Sequence, residues 1–224
     1  MTNYATNYAN KSSIFDNGDV IEGHHVKSIY DELGETPGKI ASAVGPTVDG
    51  YYYSSASTSG SNSAEKPTQN RQHFTPLYIA ENGYTITELA IYVETVGASS
   101  TVYAGVYGST NGLPDGSLLA SKCTFDTSSG TLGHRAAVTS IPLDRGLYWI
   151  SSLTISSTRP ALAHIKSSSV PIALPDYNNL NKSCVGYYLD SKTDLLAVSA
   201  SNSFVQAETG SYYIPHVVAK LQTV

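Results

Sequence analysis

Residues Phe74 to Leu153 read FTPLYIAENGYTITELAIYVETVGASSTVYAGVYGSTNGLPDGSLLASKCTFDTSSGTLGHRAAVTSIPLDRGLYWISSL. Within it, ITELAIYVETV sets Leu89, Ile91 and Val93 on one side of an extended chain and Ala90, Tyr92 and Glu94 on the other. That period of two belongs to a half-buried strand. TVYAGVYG repeats the beat, with Val102, Ala104 and Val106 against Tyr103, Gly105 and Tyr107. The break at Gly97 to Ser100 suits a hairpin or short loop, which predicts two neighbouring strands. NGLPDG, Asn111 to Gly116, combines a proline that presets a turn dihedral with glycines that accept positive φ, so the chain is expected to reverse there. RAAVTSI and GLYWISSL add two more alternations, separated by PLDRG. In the second, Trp149 alternates with Leu147 and Ser151 and is expected as a buried anchor in the sandwich core, with Tyr148 and Ile150 facing the other way. No interval is long enough for a helical crossover, so the strands are expected to pair antiparallel.

Working outward, the remaining strand candidates are Tyr51 to Tyr53 as an edge, Val185 to Leu189, and the final run YYIPHVVAKLQ, where Pro215 is tolerable near a strand start. With about eight candidates and short turn-rich connections, an all-β, jelly-roll-like antiparallel sandwich is the expected fold. Residues 64–224 are assigned to it, after a Ser- and Gly-rich linker. Residues 1–63 are read as an extended N-terminal arm, one short helix and that linker. The arm TNYATNYAN has no aliphatic residue beyond alanine and cannot order itself, although Tyr4 and Tyr8 are candidate contacts to a neighbouring subunit. HHVKSIYDEL spaces Val26, Ile29, Tyr30 and Leu33 at helical intervals, with Gly34 and Pro37 as stop signals. A helix this short needs a partner for its apolar stripe.

Composition narrows the function classes. The 224 residues are 41% hydrophobic and only 14% charged, with a formal charge of −5. Nucleic-acid binding needs clustered Lys and Arg, and the 13 basic residues here are scattered. No apolar run is long enough to span a membrane, and the N-terminus shows no secretory leader pattern. The 17 Tyr against 4 Phe and 1 Trp favour contact surfaces, because a phenol gives stiff apolar area with a hydroxyl that stays wet. Tyr51, Tyr52, Tyr53, Tyr187 and Tyr188 are the candidate glycan contacts. Cys123 and Cys184 lie far apart without metal spacing and are read as buried thiols.

Catalytic patterns are missing. His24 and His25 would diverge on a helix, and His73, His134, His164 and His216 are isolated in sequence. There is no GxSxG elbow, no phosphate-binding glycine loop and no calcium loop. The sparse carboxylates Glu88, Glu94, Asp115, Asp126 and Asp144 do not sit at aromatic strand ends as glycoside cleavage would ask. No enzyme, no cofactor and no metal are expected.

Two segments together resemble a known family. Gly105, Val106 and Tyr107, then Gly112, Leu113 and Pro114, then Gly146, Leu147, Tyr148 and Trp149 are similar to the "GIY…GLPG" turn and later "GLYWL" strand of a sandwich domain of tailed-bacteriophage virion proteins. Val106 stands for Ile, and Asp115 intervenes before Gly116. IFDNGDVIEGHHVKSIYDEL resembles the segments that begin many phage tail and head appendage proteins. The resemblance implies a non-enzymatic virion protein, usually a homotrimer, held to other tail or capsid proteins by Phe15, Val20, Ile21, Val26, Ile29 and Leu33. Its sandwich would then face outward, with host-surface glycan as a candidate partner. A tail-attached fibre or adsorption component is the leading expectation. A capsid decoration protein and a carbohydrate-binding module are the alternatives.

Overall fold

The computed structural model describes residues 50–53, 65–79, 82–165, 184–208 and 214–223. The expected arm and helix, with Tyr4, Tyr8 and the anchor residues Phe15, Val20, Ile21, Val26, Ile29 and Leu33, lie outside them. Every strand pairing among the described residues is antiparallel, and no helix occurs among them.

In chain order the strands are β1 (Tyr52–Tyr53), β2 (Gln72–Ile79), β3 (Tyr84–Thr95), β4 (Thr101–Thr110), β5 (Leu113–Leu118), β6 (Cys123–Asp126) and β7 (Gly133–Leu143). There follow β8 (Gly146–Thr154), β9 (Ala161–Leu162), β10 (His164–Ile165), β11 (Cys184–Leu189), β12 (Val205–Glu208), β13 (Ile214–Pro215) and β14 (Val218–Thr223). Sheet I has the order β1-β14-β3-β7, with β9 also on β3. Sheet II has the order β12-β11-β2-β8-β4-β5, with β6 also on β4. A separate two-stranded ribbon joins β10 to β13. The chain changes sheet from β2 to β3, β3 to β4, β6 to β7 and β7 to β8, which makes the sandwich jelly-roll-like.

The main core lies between the sheets. Ile86, Leu89, Ile91 and Val93 of β3, Ile141 of β7 and Leu221 of β14 meet Leu77 of β2, Val102 and Val106 of β4 and Ile150 of β8. The alternation predicted for β3 holds for its buried side. Against β14 the register shifts between Lys220 and Leu221 and leaves Thr87 as an extra residue in β3, which lets both Ile86 and Leu89 point inward. Ala90, expected on the wet side, is buried, covered where β14 and β7 flank β3 through Val218 and Ala136.

Other expectations are corrected. β3 and β4 are not neighbours: the break at Gly97 to Ser100 carries the chain from one sheet to the other. Gly97 is required there, since a Cβ would come within 2.2 Å of the Thr158 carbonyl oxygen. The reversal after β4 is made by Asn111 and Gly112 alone, both at positive φ (53° and 78°), as a two-residue hairpin demands. Pro114 sits inside β5, opposite Ser109, on the outermost strand of that end of sheet II. Pro76 is likewise tolerated in β2 because β11 pairs with Gln72 to Phe74, and among the described residues nothing pairs with the rest of that edge.

Trp149 is fully buried, but not in the main core. It packs with Phe74, Tyr107, Leu189 and Val198 on the outer face of sheet II. Tyr148 and Ile150 face the main core instead. The reason is the segment between β11 and β12, residues 190–204, which lies across that outer face as a strap. Val198 bridges to Gly116 through hydrogen bonds of 2.8 and 2.9 Å, and the Tyr107 hydroxyl donates to the Leu196 carbonyl at 2.9 Å. Asp115 accepts from the Ala200 amide at 2.9 Å, and Lys122 pairs with Asp194. Arg71 grips Asp190 with two bonds of 2.7 and 3.2 Å.

β1 comes from the stretch read as preceding the sandwich, yet it forms the edge of sheet I. Tyr52 pairs with Lys220 and Tyr53 with Ala219, as the edge-strand reading of Tyr51 to Tyr53 anticipates.

Candidate functional site

Sheet I has no such strap over its outer face among the described residues. Alternation along β3, β7, β14 and β1 delivers Glu88, Tyr92, His134, Val138, Lys220 and Tyr52 to that face. The register sets Lys220 beside Glu88, Glu88 beside Val138, and Tyr92 beside His134. Tyr52 starts on the edge strand, and its ring reaches across the sheet to the other edge. Its hydroxyl donates to Glu88 Oε2 at 2.7 Å, and its ring meets that of His134 edge-on at 5.0 Å. Lys220 Nζ donates to Glu88 Oε1 at 2.8 Å and lies 5.9 Å from the Tyr52 ring centroid.

The electrostatics follow from these contacts. The Lys220 ammonium, with the Tyr52 hydroxyl second, holds the Glu88 carboxyl below its ordinary range. Lost hydration, followed by the bond to Glu88, pushes the Tyr52 phenol up to about 12. At neutral pH the cluster is therefore a carboxylate, an ammonium and a neutral phenol. Around it Tyr92 is 48% exposed, Tyr52 37% and Val138 86%.

The residues predicted as glycan contacts separate. Tyr51 is exposed and Tyr52 belongs to the cluster, while Tyr53 turns inward and packs against the main core. Tyr187 is half-buried between Trp149 and Phe204, with ring centroids 5.4 and 6.0 Å away. Tyr188 is only 5% exposed, and the Arg71 guanidinium covers its ring at 4.0 Å. Neither offers a face for stacking, because the strap and its Arg71–Asp190 clamp occupy that region. Glu88, Tyr92, His134 and Lys220 were not singled out as contacts. Part of the signal was present, since strand alternation put Tyr92 on the wet side and the same period extends to Glu88, but cross-strand register cannot be read from one strand.

The other titratable groups are structural. His73 is buried and its pKa falls to about 3, first from burial and then from the Arg71 charge, so it stays neutral. Burial also lowers His216, while His164 is buried against the β10–β13 ribbon. Asp115 accepts from Thr110 and Ala200, Asp126 from Ser128, and Asp194 from Lys122 and Leu195, and these bonds hold all three carboxyls low. Cys123 is a buried free thiol whose pKa burial raises. Among the described residues no group of three or more His, Cys, Asp or Glu is placed to hold a metal ion.

No family model and no curated protein matches the chain. Among solved structures it is similar to the crystal structure of the cysteine protease and lectin-like domains of Cwp84, a surface layer associated protein of Clostridium difficile. The likeness has 12% sequence identity and a TM-score of 0.44, covering 69% of this chain and 33% of that one. The chain thus spans about a third of that structure's length, and nothing of that protein's activity is carried over.

Proposed function

We propose that this chain is a non-enzymatic structural protein of a tailed-bacteriophage virion, fixed to the particle by its N-terminal segment and displaying the β-sandwich outward. Its place is a tail-attached fibre or adsorption component, built as a homotrimer. What supports this reading is that the residues resembling the phage sandwich domain form one physical unit. Gly105 to Tyr107 lie on β4, Gly112 to Pro114 on the hairpin into β5, and Gly146 to Trp149 on β8. Val106 pairs with Ile150, Tyr107 with Trp149, and Ser109 with Pro114. Trp149 Nε1 donates to Ser109 Oγ at 3.1 Å, joining the strand that carries the tryptophan to the hairpin that carries the proline. Segments far apart in sequence thus serve a single packing role, which is the kind of constraint a family pattern encodes.

The test is the copy number and position of the chain in purified particles, by quantitative mass spectrometry and cryo-electron microscopy of the intact virion. A low count in multiples of three or six at the tail is expected, as closed rotational symmetry would give. Absence from the particle overturns the reading. Hundreds of copies over the shell would make it a capsid decoration protein.

A further inference from the structure

We infer that the outer face of sheet I is a binding site for a neutral saccharide, with Tyr92 and Tyr52 as stacking surfaces and Glu88 and Lys220 as the polar groups that orient the ring. This gives the displayed domain of the proposed function a partner and rests on that reading for its biological role. Binding itself is measured on the purified chain, so either can fail without the other.

Three observations carry it. The face presents aromatic side chains to solvent on a rigid antiparallel sheet: Tyr92 and His134 as a register pair, with Tyr52 laid edge-on to His134. A tyrosine on such a support supplies apolar area at little cost in conformational entropy, and it matches the C–H face of a pyranose. Second, the polar groups are already fixed. Glu88 accepts one bond on each oxygen, from Tyr52 and from Lys220, yet a carboxylate offers about four acceptor sites, and an ammonium has three hydrogens. Donors and acceptors therefore stand at defined positions beside the rings, as the few convergent polar groups of a small-molecule site do.

Third, charge selects the occupant. Glu88 and Lys220 neutralise each other and the Tyr52 phenol is neutral, so the cluster offers no field to a phosphate, a nucleic acid or an acidic peptide. A neutral ring with alternating C–H and O–H groups suits both halves of this surface. A second copy of the chain suits it less. The apolar contribution beyond the tyrosines is little more than Ala136, Val138 and the half-buried Val218, and a stable protein interface buries about 800 Å² per partner around an apolar centre.

The experiment titrates the full chain with maltohexaose, cellohexaose, mannohexaose and a galactan-derived hexaose, with polygalacturonate as the acidic control, followed by calorimetry and sedimentation. At least one neutral oligosaccharide is expected to bind. Tyr92→Ala should weaken that binding by about tenfold or more, with the melting temperature unchanged. Tyr52→Phe should weaken it less, because the ring remains. Tyr78→Ala, a similarly exposed tyrosine on sheet II, should leave it unchanged. The inference is overturned if no neutral oligosaccharide binds, if only polygalacturonate binds, or if binding ignores Tyr92→Ala. It is also overturned if Tyr92→Ala lowers the native mass, since the face would then be an interface between copies.

Discussion

Both sheets of this sandwich carry tyrosines on their outer faces, but the two faces have opposite fates. On sheet II the aromatic side chains Phe74, Tyr107 and Trp149 lie under a strap pinned at Asp190, Asp194, Leu196, Val198 and Ala200. On sheet I, Tyr52 and Tyr92 stand in solvent beside a closed ion pair. An aromatic under cover contributes to stability, whereas one left open contributes area that folding does not use. An exposed tyrosine is informative here where fixed polar groups stand beside it, as Glu88 and Lys220 do beside Tyr52.

The difference breaks most readily at Trp149. Trp149→Ala should cost about 3–5 kcal/mol in urea unfolding, the range for emptying a fully packed aromatic site. Tyr92→Ala should change stability by less than about 0.5 kcal/mol, as surface substitutions generally do. Equal losses at the two positions would mean that sheet I is covered after all. A smaller effect belongs to Tyr107→Phe. It removes the donor to Leu196 and the acceptor used by Gln72 Nε2, and should cost about 1–3 kcal/mol. Faster hydrogen exchange at Val198 and Gly116 would show that the loss is local to the strap.

On the open face the expected effects are modest and depend on pH. Glu88 titrates below its ordinary range in the folded chain, so its contribution to stability is present above its unfolded pKa and is lost as pH falls through the folded one. The stability gap between the parent and Glu88→Gln should therefore be full at neutral pH and shrink as pH drops below about 4, the ordinary glutamate range. A gap that widens in acid would contradict the Lys220–Glu88–Tyr52 arrangement. The smallest effect is expected at Val138, 86% exposed: Val138→Thr should leave the urea midpoint within experimental error.

How much of this was legible in the sequence divides along the same line. The alternation of β3 and β4 named their inward residues, because burial on one side of a strand is a local pattern. Trp149 was read as buried, but its face was misassigned. Periodicity gives the separation of two faces and not which one meets the other sheet, and a strap of mixed sequence can create a second apolar layer. Gly97 was read as a loop between neighbouring strands because a crossing and a hairpin both need small residues. Among the candidate contacts, the YYY run put Tyr52 at an edge, but nothing in a run of three tyrosines reveals that one reaches across the sheet to Glu88. That depends on the register of β1 with β14 and of β14 with β3, strands drawn from opposite ends of the chain.

That pairing has a mechanical side. Among the described residues the first to pair are Gly50 to Tyr53, which lie against β14, with the Gly50 amide bonded to the Leu221 carbonyl at 3.0 Å. Tension arriving from residues upstream of Gly50 therefore acts first on a two-residue strand and on Tyr52, and not on the core strands behind them. β1 would peel away while β14 keeps its longer pairing with β3. Under such a load this edge would open before the sandwich does.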